Sequence, residues 1–184
     1  DIGIVNKFAE TSDGRIWAAG TQAGFLEINT TSQTIALHEL TTDRINNVST
    51  NSIHSLTTDK GDRVWLATVS GGVNRYDPKT AEIVNFRHDP TDPTSISSNS
   101  VYSIYEDQKG NIWIGTEVGI NVYNDSEGGF IDLRSSIAEL PSERIYSIYQ
   151  SREGKIWIGT FRGLASGSKT LFHTVDSTIG HLSS

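Results

Sequence analysis

The sequence predicts an all-β fold: a β-propeller built of four-stranded antiparallel blades, with four blades in this segment and the segment forming part of a larger propeller. Three observations carry the prediction. All four tryptophans of the 184-residue chain, Trp17, Trp65, Trp113 and Trp157, recur at steps of 48, 48 and 44 residues, a period that belongs to propellers and solenoids. Each sits in a variant of one unit, clearest as Glu106-Asp107-Gln108-Lys109-Gly110-Asn111-Ile112-Trp113-Ile114-Gly115-Thr116. No stretch shows helical periodicity; short β-rich runs alternate with turn residues instead.

The unit reads as a tight turn followed by a strand. In Asp107 to Gly110 the Asp side chain can bond back to the turn backbone, and the Gly can take the positive φ that other residues resist. Gly110 and Gly154 are therefore expected at positive φ. The other copies are Asp13-Gly14-Arg15-Ile16-Trp17, Asp59-Lys60-Gly61-Asp62-Arg63-Val64-Trp65 and Arg152-Glu153-Gly154-Lys155-Ile156-Trp157, the second reading as one residue longer in its turn. In the strand, Ile112 and Ile114 point one way and Trp113 the other. Two places after each Trp comes a small residue, Ala19, Ala67, Gly115 or Gly159. Bulk beside a vacancy on one face suits stacking against a neighbouring copy, so Trp113 is expected to be buried between sheets.

A first strand starts twelve residues before each Trp, at Val5, Ile53, Val101 and Ile145. The Trp strand is second. A third follows a Gly-containing turn, at 25–28, 73–76, 120–123 and 164–167. A fourth follows at 34–40, 83–88, 130–133 and 170–175. These place the blades at about 1–42, 51–90, 99–136 and 143–176, joined by polar linkers such as Asp89-Pro90-Thr91-Asp92-Pro93-Thr94-Ser95, whose Asp-Pro steps stop a strand from running on. An open arc would leave the outer faces of blades one and four uncovered, and Trp17, Ile16, Ile156 and Trp157 are expected there.

Composition narrows the function. A net charge of −7 argues against nucleic acid and anionic membrane as partners, which need clustered Lys and Arg. With no Cys, thiolate chemistry, disulfides and Cys-based zinc sites fall away. No run approaches the roughly 18 apolar residues of a membrane span, and no leader pattern precedes the first blade. A chain that lacks any Met reads as a piece of a longer one.

The unit running apolar-Tyr-Ser-Ile-x-Glu-Asp-x-x-Gly-Asn-Ile-Trp-Ile-Gly-Thr-x-x-Gly-apolar-Asn-x-Tyr, best in Ser100 to Tyr123, resembles the two-component regulator propeller repeat. The first copy departs from it at Ala18-Ala19-Gly20, and the fourth at Leu164-Ala165-Ser166-Gly167. The resemblance implies an extracytoplasmic, periplasmic sensor region with several more blades. It also implies a parent protein in the inner membrane, either a hybrid histidine kinase or a diguanylate cyclase, and a small polar ligand of glycan type.

Candidate chemistry is sparse. The Asp107/Gly110/Asn111 group lacks the ligand run of a calcium loop and is read as the repeated turn. His38, His54, His88, His173 and His181 show no metal-binding spacing. His54 shares its repeat slot with Asn6, Tyr102 and Tyr146 and is expected as a packed or channel-side polar residue. There is no Gly-x-Ser-x-Gly elbow, and carboxylate pairs such as Glu106/Asp107 recur with the blade, as scaffold does. No catalytic residue, metal or cofactor is expected. The Asn-x-Ser/Thr triplets at Asn29, Asn47 and Asn124 read as chance.

Binding residues are sought where blades differ. If the first strand is innermost, the loops that enter it share a face with the loops joining strands two and three. That face carries Asn51, Ser52, Asn99, Ser100, Glu117, Arg144 and Arg162, with Tyr102 and Tyr146 placed to stack on a small polar ligand. The leading expectation is a non-catalytic ligand sensor. The alternatives are a propeller-fold enzyme acting on polysaccharide and a protein–protein interaction propeller. Self-association, or packing on further blades, is expected at the ends.

Overall fold

The computed structural model describes residues 3–22, 24–39, 52–134, 137 and 140–167. The first sheet holds β1 (Val5–Glu10), β2 (Arg15–Gly20), β3 (Phe25–Asn29) and β4 (Thr34–His38). The second holds β5 (Ile53–Thr58), β6 (Val64–Thr68), β7 (Val73–Asp77) and β8 (Glu82–Phe86), and the third holds β9 (Val101–Glu106), β10 (Ile112–Thr116), β11 (Gly119–Asn124) and β12 (Gly129–Asp132). In the fourth, β13 (Ile145–Gln150), β14 (Ile156–Thr160) and β15 (Gly163–Gly167) are described. Every sheet is an antiparallel meander in chain order, so the first strands begin where the repeat places them. The expected strand at 170–175 lies outside the described residues, as do Asn47, Asn51, His173 and His181.

The core lies between sheets, not within one. Trp17, Ala19 and Phe25 of the first sheet pack on Ile53, Leu56, Val64 and Leu66 of the second. Trp65, Ala67 and Val73 pack on Val101, Ile104, Ile112 and Ile114 of the third. Trp113, Ile120 and Val122 pack on Ile145, Ile148, Ile156 and Ile158 of the fourth. Strand alternation therefore gives each blade a Trp face and an opposite aliphatic face, and the Trp face of one blade meets the aliphatic face of the next. Each fully buried side chain of this size contributes about 1.5–3 kcal/mol.

This polarity corrects one expectation. Trp17 and Ile156 are buried, because they face blades two and three respectively. Of the four residues expected on the open faces, only Ile16 and Trp157 are partly exposed. Their company is instead Phe8, Ile35 and Leu37 on blade one, and Tyr149 and Leu164 on blade four.

The turn between first and second strands is the same in all four blades, which corrects a second expectation. In each, the residue three places on donates its N–H back to a turn carbonyl: Gly14 to Thr11, Asp62 to Asp59, Gly110 to Asp107 and Gly154 to Ser151, at 2.8–2.9 Å. Blade two has no extra residue; its glycine is displaced by one, and Asp62 takes the left-handed position at φ 66°. Gly110 and Gly154 hold φ 91° and 81°. Asp tolerates this region better than most residues, and here its side chain is put to use: Asp62 accepts both the N–H and the Oγ–H of Ser12 at 2.7 Å, joining blade two to blade one.

Candidate functional site: the rim over blades three and four

Neighbouring sheets touch through their first strands, so β1, β5, β9 and β13 are innermost. One slot on these strands makes a continuous ladder. Asn6 donates from Nδ2 to the Ile53 carbonyl at 2.9 Å. His54 meets the Val101 carbonyl through Nδ1 at 3.1 Å, and since a carbonyl only accepts, Nδ1 carries the proton in that pair. The His54 ring stacks on Tyr102 at 5.2 Å, and Tyr102 lies 5.0 Å from Tyr146. His54 is thus a packed polar residue of the inner strands, as its slot suggests.

The entry loops and the loops joining strands two and three do share a face. Their backbones are tied in every blade: Thr21 N–H to Ile4 O, Val69 to Ser52, Glu117 to Ser100, and Phe161 to Arg144, at 3.0–3.2 Å. This common bond holds the rim while leaving its side chains to vary.

Over blades three and four the rim gathers five of the sought residues. Arg144 donates from Nη2 to Glu117 Oε1 at 2.7 Å across the blade boundary. Its guanidinium lies 5.6 Å from the Phe161 ring centroid, a cation–π geometry. A hydrogen bond to Tyr146, and after it Glu117, hold the Arg144 pKa above its ordinary value. Burial, and then the Glu117 charge, push the Tyr102 hydroxyl up. Both groups therefore stay in their neutral-pH forms, Arg charged and Tyr protonated. Glu117, Ser142, Arg144, Phe161 and Arg162 line a shallow depression of about 390 Å³. An aromatic ladder beside a fixed ion pair can offer ring faces to a planar or sugar-like ligand and directional donors to its oxygens.

Asn99 lies elsewhere. Its Oδ1 accepts from the His88 N–H and its carbonyl accepts from Gly72, each at 2.9 Å, so it binds the loops of blades two and three together. It borders a second depression with Ser97, Ser98, Ser100 and Arg134. Asn51 lies outside the described residues. Phe161, 61% exposed, was not singled out from the sequence. The signal was available: blades one to three carry Thr21, Val69 and Glu117 at that loop position, and only blade four has an aromatic ring there.

Two stretches, residues 95–118 and 139–162, match the two-component regulator propeller family. No curated protein matches the sequence significantly. Among solved structures, the chain is similar to the extracellular domain of a protein assigned to a hybrid two component system of B. thetaiotaomicron. The TM-score is 0.73 and the identity 20%, over 91% of this chain and 25% of that one. It is also similar to virginiamycin B lyase from Staphylococcus aureus, with a TM-score of 0.65 and 17% identity, over 90% of this chain and 56% of that one. The chain thus spans a quarter of the first structure and just over half of the second. At these identities the likeness carries the fold, a β-propeller whose described sheets form an open set rather than a closed ring.

Proposed function

Since the chain carries two-component regulator propeller repeats, we propose that it is the ligand-sensing, extracytoplasmic region of a bacterial transmembrane signalling protein, either a hybrid histidine kinase or a diguanylate cyclase. It is non-catalytic by itself. The observation that carries the reading is the division of labour between repeated and unrepeated residues. What recurs in every blade, the turn, the Trp and the small residue, is consumed in packing. What differs, Glu117, Arg144, Phe161 and Arg162, collects on one rim, beside Tyr102 and Tyr146, which share one slot in blades three and four only. Its ligand is a small polar molecule of glycan type, seated on the ring faces and oriented by the Arg144–Glu117 pair. Differential affinity for two arrangements of the parent protein would convert binding into signal.

Calorimetric titration of the chain with a panel of neutral and acidic oligosaccharides tests this. Saturable binding of one member without chemical change supports the sensor. The likeness to a lyase motivates the competing catalytic reading, and turnover of any panel member or of virginiamycin B, seen by mass spectrometry, would replace the sensor with an enzyme. Binding of none of them, together with saturable capture of a defined protein, would favour an interaction propeller.

A further inference from the structure

We propose that the rim carries a second ligand subsite, one blade along from the first, and that its ligand is a linear oligosaccharide taken one unit per blade boundary. The subsite presupposes the glycan-sensing role proposed for the rim and specifies its ligand.

The two depressions are one architectural cleft, repeated. Over the boundary of blades three and four, the depression lies between Glu117 of one joining loop, the entry loop 141–144, and Phe161 and Arg162 of the next joining loop. Over the boundary of blades two and three, Ser70, the entry loop 97–100 and Val118 hold the same three places. Shared backbone bonds fix the correspondence: the Glu117 N–H donates to Ser100 O as the Phe161 N–H donates to Arg144 O, each at 3.0 Å. Blades two and three are both flanked on each side, so the second cleft owes nothing to an uncovered sheet face. The clefts also adjoin. Glu117 opens on the first and Val118 on the second, and Glu143 lines both. Their volumes are about 390 and 630 Å³.

Their linings divide the chemistry. The first offers the Phe161 ring and the Arg144–Glu117 pair, and the second is walled largely by serines. Among the described residues the Ser70 and Ser100 hydroxyls take no partner. Ser98 Oγ accepts the Ser100 N–H at 3.1 Å and keeps its own O–H to donate. His88 Nδ1 lies 2.8 Å from the Ile96 carbonyl, so that nitrogen carries the proton and Nε2 of the neutral ring is an acceptor.

Arg134 closes the outer end. It gives Nε and Nη2 to Asp132 Oδ2 at 2.7 and 2.6 Å, and its Nη1 has no partner among the described residues. Its stem crosses Gly119, where a Cβ would come within 2.5 Å of Arg134 Cγ, so the glycine keeps the place of the side chain. Glu143 acts on Arg134 through its charge, yet no ion pair joins the two among the described residues. Hydroxyls that both donate and accept, between a cation and a carboxylate held apart, match the mixed roles of sugar hydroxyls. A single sugar unit fills one cleft. A chain of units meets both, and its second contact forms at the effective concentration set by the first.

Calorimetric titration with mono- to tetrasaccharides of the neutral xylose series and the acidic galacturonic acid series tests this. Affinity should rise by about tenfold or more from one unit to four, within the gain that linking two contacts gives. Arg134→Ala should flatten that rise, and so should Ser70→Trp, which fills the second cleft from an exposed loop position, with circular dichroism unchanged in both. Arg144→Ala should weaken every length. Equal affinity for one unit and four would overturn the second subsite and leave the sensor standing. So would a gain with length that survives both variants. Binding of no member at any length would remove the glycan-sensing role itself, and the second subsite with it.

Discussion

The indole Nε1–H of Trp113 donates to Asp107 Oδ2 at 2.9 Å, so the side chain that shapes the turn also holds the one that fills the blade interface. Asp107 is buried and spends its other lone pairs on the turn. Oδ1 accepts the N–H groups of Lys109 and Asn111 at 2.9 Å, and Oδ2 also accepts Asn111 Nδ2 at 2.8 Å. Blade two repeats the bond between Trp65 and Asp59 at 2.7 Å, and blade one replaces the carboxylate with the Thr11 hydroxyl at 3.3 Å.

Two substitutions separate the partners. Trp113→Ala leaves a cavity between blades three and four and should cost about 3–5 kcal/mol. Asp107→Ala leaves the buried Trp113 indole N–H unpaired, and the part-buried donors of Lys109 and Asn111 with it, at roughly 1–3 kcal/mol for a buried group that finds no water. Urea melts followed by circular dichroism measure both. A loss below about 1 kcal/mol for Trp113→Ala would mean that the indole is not the wedge between the sheets.

The left-handed turn position makes a graded prediction. Gly110→Val puts a β-branched residue at φ 91° and should cost about 1–3 kcal/mol. Gly110→Asp should cost less, because the chain itself accepts Asp62 in the equivalent place. Its added Cβ meets only the flexible Lys60 side chain, at 3.3 Å. Equal melting losses for the two variants would contradict the turn assignment.

Much of this architecture was legible in the sequence. Val5, Ile53, Val101 and Ile145 start their strands as the Trp spacing dictates, since one mechanical unit is repeated and side chains alternate along a strand. The face polarity was not legible. Periodicity says that Ile156 and Trp157 oppose each other but not which of them meets a neighbour; that depends on the direction in which blades stack. The role of Asp62 was hidden because glycine marks the left-handed site in the other blades, and Gly61 beside it drew the turn one residue out of register. On the rim, Arg144 was readable as an unrepeated polar residue, and Tyr146 as half of a tyrosine pair in the slot that blades one and two give to Asn6 and His54, whereas the tie from Asn99 to His88 depends on how two linkers fold back.

The vacancy beside the tryptophans should behave differently at an occupied and an open interface. Gly115→Ala places a methyl 2.6 Å from Ile145 Cγ2 and against Ser103 Oγ, and overpacking of this kind costs about 1–3 kcal/mol. Gly159→Ala meets only Ser147 of its own blade, closest at a hydroxyl that can rotate aside, and should fall within about 0.5 kcal/mol of the parent, as surface changes do. Thermal melts of the pair check the contrast. A larger loss at Gly159 would mean that blade four is packed from both sides.

Glu106 gives a pH-dependent test. Burial raises its pKa, against the Lys60 N–H that favours the charged form. A carboxyl whose folded pKa lies above its unfolded value binds protons more tightly when folded, so it lowers stability once pH exceeds the unfolded value. Glu106→Gln keeps the acceptor for Lys60 and removes the charge. It should raise the unfolding free energy at pH 7, read from urea melts, by less than about 1 kcal/mol because the group is only partly desolvated. The gain should disappear as pH falls below the ordinary Glu range. A loss at pH 7 would mean that the Lys60 contact outweighs burial.

On the rim, stability and recognition should come apart. The Arg144–Glu117 pair is 39% exposed on both sides, and exposed pairs contribute about 0–1 kcal/mol. Arg144→Ala, Arg162→Ala and Tyr146→Ala should therefore melt within a few degrees of the parent, since the loop is held by the Phe161 N–H to Arg144 carbonyl bond at 3.0 Å, which these changes leave in place. If the rim recognises the signal, the same variants should weaken oligosaccharide binding in calorimetry at least tenfold, the loss expected when a well-formed stacking or charge-assisted contact is removed. Arg144→Lys should recover only part of it, because an ammonium cannot present the paired donors of a guanidinium. Asp107→Asn, on the opposite loops, should lower the melting temperature with little change in affinity for the folded fraction. If only the Asp107 variant altered binding, and the three rim variants bound as the parent does, the recognition face would be the turn side of the propeller and not the rim.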